Sequence, residues 1–190
     1  MRIALFGGSF HPPHVGHLLA ASYVRAVAPV DELWFMPADR HAFGKPLAAF
    51  DDRVALCEAL ATLVPCSRVT RIEQEVGAGG RTLPVVEELV RRHPEHSFRL
   101  VVGSDILDDG PKWYRFDELV RLAPLIVLAR GGHPVDTSRV PAGSTLLTDV
   151  VLPEVSSTEV RARLARGEEV AAFVPRVVRE EMERRGMRFG

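Results

Sequence analysis

The stretch RIALFGGSFHPPHVGHLLAAS, residues 2–22, joins a short apolar run to a helical one through three glycines, two prolines and three histidines. The apolar run RIALF predicts a buried parallel strand that ends at the glycines. The composition then predicts a helix from Val15 to about Ala28. Glycines at a strand-to-helix turn let a ligand approach main-chain N–H groups, and the start of the helix attracts anions.

The alternation of strands and helices continues along all 190 residues, without internal repeats. This pattern predicts an α/β fold: a Rossmann-like, doubly wound, mostly parallel sheet with helices on both faces. One domain over residues 1–190 is expected, with residues 156–190 as a C-terminal helical segment packed on it. The expected strands are 2–6, 32–37, 68–73, 98–103 and 125–130. After the first helix, one helix is expected to start with Asp51 as its N-cap, and three more are expected at 82–93, 156–167 and 175–186.

Composition narrows the class of protein. The hydrophobic fraction is 46% and the formal net charge is -1, so the chain has no global basic field that would favour nucleic acid. No apolar run reaches the length of a membrane span. The two cysteines are wrongly spaced for a metal knuckle or a disulfide framework. We therefore expect a soluble cytoplasmic protein without a nucleic-acid or membrane partner, and the sequence carries no signal for an oligomeric state.

The first loop contains two histidines suited to phosphate. His14 and His17 are three residues apart, so both project from the same side of the first helical turn. Imidazoles beside the positive end of a helix can donate hydrogen bonds to phosphate oxygens. A plain tight turn, satisfied surface histidines or a metal site that includes His11 are the alternatives. No further cluster completes such a metal site, and the loop matches neither GxxxxGK[ST] nor GxGxxG.

The string GGSFHPPHVGH resembles the GxFxPxHxGH signature of the nucleotidylyltransferase superfamily. In that family the histidines of HxGH grip the triphosphate of a nucleotide, and the resemblance implies this catalytic role for His14 and His17. His11 stands where many members have aspartate, and no role follows for it from the resemblance. The resemblance also implies that Gly8, Ser9 and Phe10 provide the backbone around the adenosine and its phosphates.

A second motif, SSTEVR, covers residues 156–161. It predicts a helix N-terminus with hydroxyl caps, and Ser157 and Arg161 face the same way because they are four apart. In isolation it would be an ordinary capped helix with a solvated arginine. Beside HxGH it resembles the family's ISSTxxR element, which holds the β- and γ-phosphates. The resemblance implies phosphate ligands at Ser156, Ser157, Thr158 and Arg161.

A third motif, VVGSDILDDGPKW, covers residues 101–113. A strand that ends in Gly-Ser-Asp places a carboxylate where it could bind a ribose hydroxyl, or simply cap the next turn. The stretch resembles the GxD…W segment of bacterial nicotinate-mononucleotide adenylyltransferases. That resemblance implies contacts of Gly103 and Asp105 with the ATP ribose. It also implies stacking of Trp113 on the pyridine ring, although a loop tryptophan beside Tyr114 could equally be a core or interface anchor.

The acceptor side departs from the family pattern at two places. Members commonly have Tyr-Thr where this chain has Arg81 and Thr82, and Arg81 could pair with a carboxylate on the acceptor. The loop after the second strand reads HAFGK instead of a PPHK-like run, which keeps His41 and Lys45 as candidate ligands of the substrate phosphate. With Trp113 and Tyr114 these four residues form the predicted acceptor site.

Taken together, the resemblances imply adenylyl transfer from ATP to nicotinate mononucleotide, giving deamido-NAD and pyrophosphate in NAD biosynthesis. Mg²⁺ carried on ATP is the implied cofactor, and no protein metal site is expected. Three alternatives stay open: nicotinamide mononucleotide as the acceptor, another phosphorylated acceptor such as phosphopantetheine, and a nucleotide-sensing module without turnover.

Overall fold

A six-stranded parallel sheet forms the centre of the fold. The computed structural model describes residues 1–40, 46–109, 113–130 and 136–188, with the backbone alone at residues 108, 109, 130 and 151. The strand order is β3-β2-β1-β4-β5-β6, and every described pairing is parallel. The strands are β1 (Arg2–Gly8), β2 (Glu32–Pro37), β3 (Ser67–Val69), β4 (Ser97–Gly103), β5 (Leu125–Arg130) and β6 (Thr145–Leu152).

Helices cover both faces of this sheet. In β1, Ile3 and Leu5 face one apolar cluster, whereas Ala4 between them faces the other, as the two-residue period of a strand requires. The first cluster includes α3, α4 and α6, and the second includes α1, α2, α7 and α8. The predicted doubly wound sheet is therefore confirmed. The helices are α1 (Val15–Val27), α2 (Phe50–Ala61), α3 (Ile72–Val76), α4 (Thr82–Arg92), α5 (Ile106–Asp109), α6 (Phe116–Leu122), α7 (Ser157–Ala165) and α8 (Arg176–Arg184).

The predicted third strand is wrong beyond Val69. The sequence RVTRIE contains the β-formers Val69, Thr70 and Ile72, but the ladder ends where Thr70 N–H donates to the Phe35 carbonyl at 2.9 Å. The Thr70 hydroxyl then accepts from Ile72 N–H at 3.3 Å, and Ile72 turns its side chain into the core as the first residue of α3. A side-chain bond of this type starts a helix in place of the ladder.

Four further elements differ from the sequence-based expectations. Helix α2 has Ala49 as its N-cap, and Asp51 lies inside the first turn, where its charge favours the positive end of the helix. Helices α5 and α6 and strand β6 were not predicted. Strand β6 lies at the edge of the sheet, where its residues stay partly exposed and lack a continuous apolar pattern.

The C-terminal segment packs on the same side of the sheet as α1. Val160, Val174 and Val178 are fully buried in the cluster that includes α1 and α2. Val15 N–H, at the start of α1, donates to the Phe173 carbonyl at 2.8 Å, so the C-terminal segment caps this helix. The division into one domain with an appended segment stays a prediction. None of the described helices combines the length and the apolar character needed to cross a bilayer.

Candidate active site

A cleft of about 580 Å³ opens at the carboxyl ends of β1 and β4. The strand order reverses between these two neighbours, and ligands of doubly wound sheets bind at such a point. Apolar walls come from Phe6, Val101 and Leu128. Many of the residues predicted to hold ATP line this cleft. They are Ser9, His14, His17, Gly103, Ser156, Ser157, Thr158 and Arg161.

The two histidines form a closely packed, tilted pair at the start of α1. His14 is the N-cap, and its ring centroid lies 3.7 Å from that of His17, with 32° between the planes. His14 N–H donates to His17 Nδ1 at 3.1 Å. Because Nδ1 accepts this bond, the neutral His17 ring carries its proton on Nε2, which is then its donor nitrogen.

Two glycines allow this packing. A Cβ on Gly16 would lie 3.1 Å from the His14 imidazole, and one on Gly8 would lie 3.2 Å from the Phe10 ring. Phe10 is fully buried, and its ring supports His17 at a centroid distance of 4.8 Å. Neither Gly8 nor Phe10 lines the cleft. Their contact with the nucleotide stays a prediction, whereas their support of the histidines is visible.

The start of α7 is tied to the loop after β1. Ser156 caps the helix by accepting from Glu159 N–H at 3.2 Å, and the Ser157 hydroxyl donates to the Pro12 carbonyl at 2.9 Å. Arg161 Nη1 donates to the His11 carbonyl at 2.7 Å, and Nη2 lies 3.3 Å from the Thr158 hydroxyl oxygen. A guanidinium has five N–H donors, so these two bonds leave capacity for an anion in the cleft.

His11, the residue without a sequence-derived role, is a buried neutral imidazole. Its Nε2 accepts from Ala48 N–H at 3.3 Å. Burial, and then the positive charges of Arg161 and Arg53, lower the pKa of His11 from 6.5 to about 4. At neutral pH this side chain therefore adds no charge beside the two guanidinium groups.

Sequence reasoning missed Arg53, which fastens the loops around the site. Its side chain is 1% exposed, although arginine is seldom buried without partners. The only sequence signal is its position four residues before buried Cys57, on the same face of α2. Its guanidinium donates to the main-chain carbonyls of Ser9, Ala38, Asp39 and Ala48 at 2.7 to 3.3 Å.

The predicted ribose and pyridine contacts follow β4. Gly103 lines the cleft, whereas Asp105 is half-buried and does not. Trp113 is half-buried and packs edge-on against Phe116, at 6.4 Å between centroids and 78° between planes. Part of its indole is therefore already held by the apolar cluster, and its stacking on a pyridine ring stays a prediction.

The structure describes only some of the other predicted acceptor residues. Arg81 precedes α4, and its guanidinium lies 4.8 Å from the centroid of the exposed Tyr114 ring. Thr82 is the first residue of α4. The structure thus brings Arg81 and Tyr114 together, and a cation over a phenol ring is a favourable contact. His41 and Lys45 lie outside the described residues.

Comparisons with known proteins agree with this geometry. Residues 5–163 match the sequence model of the cytidylyltransferase-like family. A protein of Anaeromyxobacter sp. (strain K) named "Probable nicotinate-nucleotide adenylyltransferase" is 45% identical over 98% of this chain and 96% of its own. A Myxococcus xanthus (strain DK1622) protein of the same name is 46% identical over 92% of this chain and 88% of its own.

A solved structure shares the fold. The Plasmodium falciparum nicotinic acid mononucleotide adenylyltransferase, complexed with NaAD, matches with a TM-score of 0.80 at 18% identity, covering 98% of this chain and 96% of that one. The resemblance inferred from the HxGH and SSTEVR motifs is thereby confirmed. With its full-length relatives, its matching family model and its shared fold, the chain belongs to the cytidylyltransferase-like family and, within it, to the nicotinate-nucleotide adenylyltransferases.

Proposed function

We propose that the protein transfers the adenylyl group of ATP to nicotinate mononucleotide, releasing pyrophosphate and forming the deamido dinucleotide. The observation that carries the proposal is the convergence of the His14–His17 pair and Arg161 on one cleft at the β1–β4 switch point. These groups come from the two ends of the chain, and each can donate hydrogen bonds to phosphate oxygens.

The reaction needs positioning and charge neutralisation more than proton transfer. A phosphate monoester has a second pKa of about 6, so the acceptor phosphate is mostly dianionic at pH 7. One of its oxygens attacks the α-phosphorus of ATP in line, a new P–O bond forms, and the bond to pyrophosphate breaks. In this scheme His17 and Arg161 donate to the phosphate oxygens as negative charge shifts toward pyrophosphate.

The cleft fits a metal ion that arrives with the nucleotide. Among the described residues that line it, none is aspartate or glutamate. Mg²⁺ prefers oxygen ligands and keeps several waters, so phosphate oxygens and water would hold it here. Such an ion would neutralise triphosphate charge beside the donors of His14 and Arg161.

The acceptor would lie on the side of β4 that leads to Trp113. We assign the pyridine ring to Trp113 and its carboxylate to the neighbourhood of Arg81, Thr82 and Tyr114, with His41 and Lys45 at the acceptor phosphate. The guanidinium of Arg81 near the Tyr114 ring supports a preference for an anionic ring substituent. Both cysteines are free thiols, as in a reducing compartment, and we place the reaction in the cytoplasm.

A pyrophosphate-release assay tests the proposal. Purified protein is given Mg²⁺ and ATP with nicotinate mononucleotide, nicotinamide mononucleotide or phosphopantetheine, and the dinucleotide product is identified by mass. We expect turnover with the highest kcat/KM for nicotinate mononucleotide. Preference for another acceptor would overturn the substrate assignment, and ATP binding without turnover for any acceptor would indicate a sensing module.

A further inference from the structure

A second cluster of ligating side chains lies at the amino end of β4, at the opposite end of the strand from the cleft. It consists of His93, Glu95 and His96, which we call the 93–96 turn. One potential ligand atom from each residue lies within 4.8 Å of the others. In the part of the chain that the structure describes, it is the one such group with three members.

The local sequence fixes this turn. His93 ends α4 as its C-cap, and Pro94 cannot continue the helix. His96 N–H then donates to the His93 carbonyl at 3.0 Å and closes a four-residue turn. The two imidazoles stack with 9° between planes and 5.4 Å between centroids. The turn therefore presents two parallel imidazoles side by side before any ligand arrives.

An apolar wall holds the imidazoles in place. Trp34 meets the His93 ring edge-on at 5.6 Å and the His96 ring at 6.4 Å, and Phe98 lies 6.4 Å from His96. The Trp34 indole is itself fixed, because its Nε1 donates to the Glu32 carboxylate at 2.7 Å. The His96 side chain is only 10% exposed. Rings that are held by packing lose little freedom when they bind an ion.

The third group completes the donor set. Glu95 Oε1 lies 3.1 Å from His96 Nδ1, and its side chain is exposed and free to rotate. The Met1 amino group approaches the same nitrogen at 3.5 Å and must yield to a bound cation. No hydrogen bond to a described side chain engages the His93 ring. Tetrahedral Zn²⁺ separates its ligand atoms by roughly 3.3 Å, and the three atoms here lie within 4.8 Å of one another, so the most widely separated pair has to close by no more than about 1.5 Å.

We propose that His93, Glu95 and His96 bind one divalent transition-metal ion of the Zn²⁺ class, with water in the fourth position. Two imidazoles and one carboxylate are a Zn²⁺ donor set, whereas Mg²⁺ and Ca²⁺ prefer oxygen alone. The expectation from sequence that the protein has no metal site is thereby revised. The sequence His-Pro-Glu-His has no second pair of ligands at zinc-motif spacing, so it is not recognised as a metal-binding motif from sequence.

This site is separate from the reaction. The seven residues of β4 span roughly 20 Å between the turn and the cleft. A bound ion would join the end of α4 to the start of β4. The expected consequence is a higher melting temperature without a change in kcat.

Metal titration of untagged protein tests the proposal. The chain has two tryptophans, so Trp113→Phe leaves Trp34 as the only fluorophore beside the turn. We expect one equivalent of Cu²⁺, which binds imidazole ligands more tightly than Zn²⁺ does, to quench Trp34, and a large excess of Zn²⁺ to reverse the quenching by competition. Calorimetry with Zn²⁺ alone should give one site per chain, and Mg²⁺ in excess should not compete.

Variants locate the site. His93→Asn, His96→Asn and Glu95→Gln should each weaken Zn²⁺ binding by more than about tenfold, the loss that removal of even an outer ligand partner brings. Glu95→Gln changes an exposed side chain, so its result stands even if a histidine variant folds poorly. His17→Ala, in the cleft, is the matched control and should bind Zn²⁺ as the wild type does. Unchanged binding in Glu95→Gln and His93→Asn, or loss in His17→Ala alone, would overturn the proposal.

Discussion

Replacing Glu73 with glutamine should change the pH dependence of stability. Glu73 is the second residue of α3, is 5% exposed, and has its Oε2 buried without a hydrogen-bond partner among the described residues. Burial, followed by the negative charge of Asp39, raises the pKa of Glu73 from 4.5 to about 7. The folded protein therefore keeps a proton there that the unfolded chain has already lost.

The sign and size of the effect follow from this shift. The native state binds more protons than the unfolded state between pH 4.5 and about 7, so the wild type loses stability as the pH rises through that window. From pH 5 to pH 8 the loss amounts to roughly 2–3 kcal/mol. Glutamine cannot ionise, so the variant escapes this loss. At about 2–4 °C per kcal/mol, its melting temperature should gain roughly 5–10 °C on the wild type between the two pH values.

Urea unfolding of both proteins at pH 5 and pH 8 measures the difference. The lowered pKa of His11 has the opposite slope, since stability linked to it is lost as the pH falls from 6.5 toward 4. That contribution is present in both proteins and cancels from the comparison. Glu58→Gln, at an exposed position on α2, is the matched control. A stability difference between Glu73→Gln and wild type that is the same at both pH values would refute the reasoning.

Four predictions concern the proposed reaction. His17→Ala should keep the fold and lower kcat by ~10²-fold, as expected for a donor to transition-state charge, and near-normal kcat would contradict the phosphate role. Arg161→Lys should lose much of kcat/KM because an ammonium does not reproduce the guanidinium fork, whereas Arg176→Lys, at an exposed position at the start of α8, should not; equal activities would make Arg161 a structural residue. Trp113→Ala should raise KM for the mononucleotide more than KM for ATP, and the reverse would remove the pyridine assignment. Arg81→Ala should reduce the kcat/KM ratio of nicotinate to nicotinamide mononucleotide, and an unchanged ratio would show that Arg81 does not read the carboxylate.

The regular parts of the fold follow from local sequence. Strands 32–37 and 125–130 have the predicted bounds because apolar β-formers fill both buried faces there. The predicted strand at 68–73 failed beyond Val69, since the three-residue spacing of Val69 and Ile72 is that of a helical turn rather than a strand. Edge strand β6 escaped prediction because partial exposure removes the apolar signal.

The candidate site likewise has parts that the sequence predicts and parts that it does not. His14, His17 and the SSTEVR residues were predicted because their motifs resemble those of the nucleotidylyltransferase superfamily, and spacing within one helical turn places His14 beside His17 and Ser157 beside Arg161. Arg53 could not be predicted as part of the site, because its partners are main-chain carbonyls on two loops that only the folded sheet brings close to it. Every residue has a main-chain carbonyl, so residue identity does not show which carbonyl accepts a hydrogen bond.

Helix α1 depends on residues that lie far along the chain. The Phe173 carbonyl caps its first N–H, and Ser157 and Arg161 bind the carbonyls of Pro12 and His11, 145 and 150 residues away. During synthesis the amino-terminal loop is therefore made long before these partners exist. A nascent chain can pair β1 with β2 early, but the loop after β1 gains these bonds only when the segment around residue 173 has docked. The proposed phosphate site is thus completed by the docking of this segment rather than by the folding of the amino-terminal half.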